Sequence, residues 1–315
     1  MEIEKRIIEN RDLKDLTTFQ IGGRARFFLE VKNEDDLIKV LQWAGKRRLK
    51  LFFLGGGSNI LFSDEGFDGL ILKMANQEFE IKKNLITGGG GLGLVKIIKE
   101  ASRYGLSGLE WAAGIPGITL GGAIRGNAGA FGFSMAESVK SVLAYDTKQE
   151  EWKKFGHKDC LFAYRNSVFK QRPELLIWKA DLELSFSESE KVKQEIKENV
   201  GKRIKIQPKN PSAGSVFENF QFDYLKQRAP SLADRAQFEG VVKGGMVGAG
   251  WVIDQLDLRG KRMGKAQISE KHANFIINLG GASALDVIAL VSYVKQKVRQ
   301  NFNLQLQEEI QYVGF

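Results

Sequence analysis

Residues 114–132 read GIPGITLGGAIRGNAGAFG, and they decide how the rest of the chain is read. The stretch holds seven glycines and one proline, and Arg125 is its only ionisable side chain. Glycine at this density serves places where backbone turns sharply or comes very close to something else. Backbone N–H groups clear of bulky side chains are also a means of cradling a pyrophosphate. Flexible linkers are serine-rich and polar, whereas Ile115, Ile118, Leu120, Ile124 and Phe131 are interleaved here, as in an ordered, packed loop. The stretch is read as a buried nucleotide-binding loop.

Toward the N-terminus, 26–31 reads as a strand, 34–48 as an amphipathic helix and 51–54 as a second strand. This β-α-β start runs into Gly55, Gly56, Gly57, Ser58 and Asn59. A Rossmann fold would place GxGxxG here, opening a helix. Instead ILFSDEGFDGLILK follows, with Gly66 and Gly69 read as turns and 70–73 as a strand. No GxxxxGK[ST] phosphate loop occurs either, so the glycine loops belong to neither familiar class. Strands at 79–82 and 84–87, the glycines 88–91 and a helix over 92–104 lead to the opening stretch. Of 35 glycines, 19 lie between Gly55 and Gly132, which places the loop machinery in the N-terminal half.

Downstream, strands are predicted at 138–145 and 175–186 and a charged helix at 188–205. Pro208 and Pro211 mark a boundary. A further α+β unit follows, with a turn at 212–217, an apolar segment at 248–258, a strand at 274–279, a helix at 283–300 and a last strand at 304–313.

The chain's 315 residues suffice for two or three domains, and 43% hydrophobic with 27% charged residues is ordinary for a globular protein. No apolar run approaches the ~20 residues that span a bilayer. The N-terminus, MEIEKRIIENRDLKDL, lacks the apolar core of a signal peptide, so the expected compartment is the cytoplasm. Cys160 is the only cysteine, which excludes an internal disulfide and a cysteine-cluster metal site. With only His157 and His272, a zinc site or a catalytic triad is implausible, and no metal is expected. The net charge of +9 comes without a basic block of five or six residues. Such a surplus suits nucleic acid or the steering of small polyanions, and charge alone leaves both open.

Eight segments decide more. TTFQIGGRA (17–25), LGGGSNIL (54–61), GLEWAAGIPGITLGGAIRGNAGAFG (108–132), YRNSVFK (164–170), QPKNPSAGSVF (207–217), AGWVIDQLDLRG (249–260), SEKHANFIIN (269–278) and LQEEIQYVG (306–314) resemble the UDP-N-acetylenolpyruvoylglucosamine reductase family, in the family's order. The resemblance implies an α+β chain: a two-subdomain FAD-binding fold of the vanillyl-alcohol-oxidase (PCMH) type plus a C-terminal α+β substrate domain. It divides the chain into 1–72 and 73–206 as the FAD subdomains, with the tail 311–315 packing on the first, and 207–310 as the substrate domain. It further implies non-covalent FAD, NADPH as hydride donor, a UDP-sugar substrate and a monomer, in peptidoglycan precursor synthesis. The 50-residue spacing of Arg165 and Ser215 resembles the shorter, type II branch. Residues 220–246 depart from the family by their length and read either as an ordered surface loop or as a lid.

On the same resemblance Arg165 matches the catalytic arginine, a fixed charge that grips a carboxylate through two donors. Ser215 matches the proton donor, with Ser212 at the motif's first serine. Glu309, rather than its neighbour Glu308, matches the catalytic glutamate; on a strand the two face opposite sides. Gly55, Gly56, Gly57, Ser58, Asn59, Gly117, Gly122 and Asn127 are the expected FAD contacts. His157 and His272 are read as structural. The competing readings are a flavin enzyme of the same fold that oxidises an alcohol or lactone, and a non-enzymatic nucleotide- or nucleic-acid-binding protein.

Overall fold

A computed structural model describes residues 3–315. Contacts divide the chain into two compact units that each draw on distant segments. The first comprises 1–11, 25–57 and 67–203, and the second 12–24, 58–66 and 204–315.

Among the described residues the first unit holds two larger sheets. In one, Ile8–Asp12, Arg24–Val31, Phe67–Met74 and Leu51–Leu54 lie side by side, with the last three parallel. The helix Glu34–Lys46 begins at Asn33, whose side chain accepts from the Asp36 N–H, and carries three acidic residues in its first turn. It buries Leu37, Val40, Trp43 and Ala44, a 3–4 spacing that packs on Leu29, Leu70 and Leu72. The other sheet is antiparallel, ordered Glu151–Gly156, Val139–Asp146, Leu175–Glu183, Leu85–Gly89, Phe79–Lys82. Its core includes Val142, Ala180 and Leu182, together with Ile97 from the helix Leu94–Arg103.

The second unit packs the helix Ala284–Phe302 on a three-stranded meander of Arg262–Met263, Ala266–Ile268 and Ile276–Asn278. That helix opens on a capping box between Ser283 and Asp286.

Several elements differ from the sequence reading. Gly69 lies within the strand Phe67–Met74, where a side chain would collide with Phe67 and Lys50. The stretch 114–132 is not all loop: Leu120–Arg125 forms a short helix, capped by Thr119 and held by the buried Leu120, Ala123 and Ile124. Packing there outweighs the cost of two glycines. The last strand is only Gln311–Val313, because its parallel partner Ile60–Phe62 is that short. The strand Glu151–Gly156 has no strong alternation, so its sequence carries no strand signal. Residues 220–246 form two helices, Phe222–Arg228 and Pro230–Phe238, which bury Leu225, Leu232, Ala233 and Ala236 in the second unit's core.

Candidate active site

In the first unit the glycine segments stack backbone on backbone. A Cβ on Gly56 would overlap the Gly117 carbonyl oxygen, and one on Gly55 would lie 2.7 Å from Thr119 Oγ1. Gly57 and Gly117 have φ of +67° and +64°, a region that L side chains rarely adopt. Gly121 donates to the Gly90 carbonyl at 2.9 Å, and Gly90 in turn donates to the Trp178 carbonyl at 2.6 Å. Buried Asn76 completes the stack by donating to Trp178 O and accepting from the Gly91 N–H. The loops therefore close on one another at Gly55 and Gly56 but leave bare backbone further on. A Cβ on Gly122 would meet only Thr119 Oγ1, at 3.2 Å, and one on Gly126 only the Gly122 oxygen, at 3.7 Å. A backbone face so free of side chains is what a closely approaching planar or phosphate group requires, so these residues fit FAD.

Two arginines frame this loop. Arg203 is buried, and burial pushes its guanidinium down to about 10. It donates to the carbonyls of Ala113 and Trp111 and lies over the Phe131 ring, pinning the start of the glycine stretch. Its position in a charged helix gave no sign of this role. Arg165 sits in a tight turn closed by reciprocal Ala163–Asn166 backbone bonds, with φ of +50°. A non-glycine residue in that region is strained, and such strain collects at functional sites. The turn is bolted to the glycine stretch by three bonds: Arg165 Nη2 to Gly129 O, Ser167 Oγ to Arg125 O, and Asn127 Nδ2 to Ala163 O. Asn127 also accepts from the Ala136 N–H, so its amide is engaged at both ends within the protein.

In the second unit the structure brings Ser215 and Glu309 onto neighbouring backbone segments. Glu309 donates its N–H to Val216 O at 2.8 Å, and Phe217 bridges Glu308. On the far edge Ser215 bridges Phe275. Both residues are half-buried. The Glu308 carboxylate is taken by Lys295 at 2.8 and 2.9 Å. Asn59 ties down the same tail, donating from Nδ2 to Glu309 O and accepting the Gln311 N–H on its carbonyl. Ser58 neighbours it in the second unit, whereas Gly55, Gly56 and Gly57 belong to the first.

His157 contacts Val139 O through Nδ1, and His272 Nδ1 accepts the Asn274 N–H. Burial draws the His272 imidazole below its ordinary value, against the pull of Asp254. Burial pushes the Cys160 thiol up to about 11, which removes it as a nucleophile.

Residues 25–152 match the FAD binding domain family, and with the glycine-walled loops they define an FAD-binding oxidoreductase. Residues 207–313 match the family described as UDP-N-acetylenolpyruvoylglucosamine reductase, C-terminal domain. The chain is 34% identical to the UDP-N-acetylenolpyruvoylglucosamine reductase of Solibacter usitatus, over 95% of this chain and 94% of that protein. It is 36% identical to that of Acaryochloris marina, over 96% and 91%. The crystal structure of the enzyme from Thermus caldophilus superposes with a TM-score of 0.75 at 30% identity, covering 98% of each chain. The chain belongs to the UDP-N-acetylenolpyruvoylglucosamine reductase family. Its fold is α+β, an FAD binding domain followed by a C-terminal α+β domain. Among the described residues no helix is long and apolar enough to cross a membrane.

Proposed function

We propose that this chain reduces UDP-N-acetylglucosamine enolpyruvate to UDP-N-acetylmuramate in peptidoglycan precursor synthesis, with NADPH as electron source, as a cytoplasmic monomer. The observation that carries the reading is the pairing of the Ser215 and Glu309 segments, in a chain similar to its relatives over at least 95% of its length. FAD, when bound, would supply the hydride chemistry that couples oxidation of NADPH to reduction of the substrate's vinyl group. Gly55, Gly56, Gly57, Ser58, Gly117, Gly122 and the backbone around Asn59 and Asn127 are the residues proposed to hold it, without a covalent bond.

The remaining chemistry falls to the protein. Hydride addition to the vinyl carbon drives negative charge into the adjacent carboxylate. Arg165 grips that carboxylate with two parallel donors, an arrangement that a lysine cannot reproduce. Ser215 delivers a proton to the carbon next to the carboxylate. A serine hydroxyl is a weak acid, so the charge of the enol-like intermediate and a neighbouring hydrogen-bond network must assist it. Glu309 polarises that intermediate, while Lys295 keeps the charge of Glu308 apart from it. The Gly122–Gly126 face admits a flat ligand, and residues 207–310 hold the UDP portion.

The test is the visible spectrum of the purified chain under anaerobic conditions. The expected result is a flavin spectrum that NADPH bleaches and the enolpyruvyl substrate restores, with one UDP-N-acetylmuramate formed per NADPH oxidised. A colourless protein, or a flavin bleached by alcohols or lactones and not by NADPH, refutes the reading.

A further inference from the structure

The segment that carries Ser215 is held by a buried amide to which the proposed chemistry gives no part. Asn274 is only 3% exposed. Its Oδ1 accepts the Phe217 N–H at 2.9 Å and its Nδ2 donates to Phe217 O at 2.8 Å. Its backbone carbonyl accepts the Val216 N–H, also at 2.8 Å. A carboxamide carries the same donor and acceptor pair as a peptide group, so the side chain of Asn274 extends the ladder where the backbones stop pairing. The Asn274 N–H donates to His272 Nδ1 at 3.2 Å, and the Phe275 N–H donates to the His272 carbonyl at 3.0 Å, which fixes the amide's own backbone.

The other edge of the segment is held by the tail: Glu309 N–H donates to Val216 O and Glu218 N–H to Gln307 O. Upstream the constraint is weaker. Thr18 clamps Ser212 through two bonds, but Gly214 then intervenes, with φ of +78° and nothing within 4 Å of where its Cβ would stand. A glycine in open space is a swivel. Ser215 is therefore held by its bridge to Phe275 and, on its C-terminal side, by the peptides of Val216 and Phe217.

We infer that Asn274 is a positioning residue for proton transfer from Ser215, holding the Val216 and Phe217 peptides so that the serine hydroxyl and the Glu309 backbone keep one arrangement. The inference rests on the role proposed above for Ser215. Three hydrogen bonds to two consecutive residues leave that peptide pair little freedom, and buried amides left unpaired are costly enough to enforce the arrangement. Loosening it costs rate in the protonation step and spares the earlier one.

Three variants of the full-length protein carrying its FAD test this: Asn274→Leu, which removes both side-chain bonds; Asn274→Asp, which keeps the acceptor facing the Phe217 N–H and loses the donor; and Ser215→Ala. Stopped-flow absorbance follows NADPH-driven bleaching and substrate-driven reoxidation separately, in H2O and D2O. In both Asn274 variants bleaching is expected to stay within about twofold of the parent, and reoxidation to slow by about 10–100-fold, the scale of a misplaced reacting group. The solvent isotope effect on reoxidation is expected to rise, which a merely less stable protein would not show. Should Asn274→Leu fail to fold, Asn274→Asp carries the test. Slowed reoxidation in Ser215→Ala with unchanged reoxidation in the Asn274 variants overturns the inference alone. Equal slowing of both halves in the Asn274 variants also overturns it. Unchanged reoxidation in Ser215→Ala overturns the assignment of Ser215 and this inference with it.

Discussion

Replacing Gly56 by alanine separates two reasons for a glycine in a cofactor loop. The added Cβ would fall on the Gly117 carbonyl oxygen, which is backbone and has no rotamer to move aside. Ordinary contact between such atoms lies near 3.5 Å, so the two loops must part by about 2 Å. Overpacking of this kind costs about 1–3 kcal/mol. For a unit of this size each kcal/mol lowers the melting temperature by about 2–4 °C, so a fall of roughly 2–12 °C is expected. Because the collision is between two parts of the protein, the loss should appear in apo-protein stripped of flavin as well as in holoprotein. Gly122→Ala is the matched control. Its Cβ meets only Thr119 Oγ1, and in a helix alanine is preferred to glycine by up to about 1 kcal/mol. The apo-protein of Gly122→Ala should melt within about 4 °C of the parent, yet retain less FAD, because its methyl group stands on the open face. Differential scanning calorimetry gives the melting temperatures, and the ratio of flavin to protein absorbance gives the occupancy. Apo-Gly56→Ala melting with the parent would refute the packing argument, and full FAD retention by Gly122→Ala would remove that face from the cofactor site.

Ser215→Ala should bind FAD and be bleached by NADPH normally, while reoxidation by substrate slows by about 10²–10⁴-fold, the usual worth of a placed acid; stopped-flow absorbance reads both halves. Arg203→Lys should loosen residues 111–114, since one ammonium cannot serve the carbonyls of Trp111 and Ala113 with the fork geometry of the guanidinium; faster hydrogen exchange at 111–117 and weaker FAD retention are the measurements. Asp146 is fully buried and also meets Arg172; against the desolvation that would raise it, the bonds from Lys153 and from the N–H groups of Gln149 and Lys148 hold its carboxyl down to about 2. A depressed carboxyl stabilises the fold above its unfolded value of 3.8 and loses that contribution as pH falls toward 2. The difference in melting temperature between the parent and Asp146→Asn should therefore be constant above about pH 5 and shrink between about pH 4 and 2; a difference that is flat across that window contradicts the assignment.

Much of this molecule was legible in one dimension. The helices Glu34–Lys46, Leu94–Arg103, Ser189–Ile206 and Ala284–Phe302 follow from local spacing, and each lies within a few residues of its reading from sequence. The family followed from eight short blocks, because the chemistry of a site constrains residue type wherever the chain passes through it. What failed included readings that depended on what packs against a segment rather than on its own pattern. Gly69 looks like a turn until Lys50 and the ring of Phe67 are seen to leave no room for a side chain. The tail looks like a ten-residue strand until its partner proves to be Ile60–Phe62.

The two acids of the tail mark the division most clearly. Sequence alone placed Glu308 and Glu309 side by side and expected a strand to turn them apart, whereas the observed strand, Gln311–Val313, begins after both. It also determined the glycine loops and the order of the site segments. Tertiary structure decided what each acid meets: Lys295, on the helix Ala284–Phe302, takes Glu308, and the N–H of Glu309 joins the segment that carries Ser215. It also decided that Gly56 is required by Gly117, that Arg203 holds the glycine stretch, and that Asn274 fixes the peptides beside Ser215. Lys295 and Glu308 are 13 residues apart and the other pairs lie across tens of residues, and no local pattern encodes which two segments will meet.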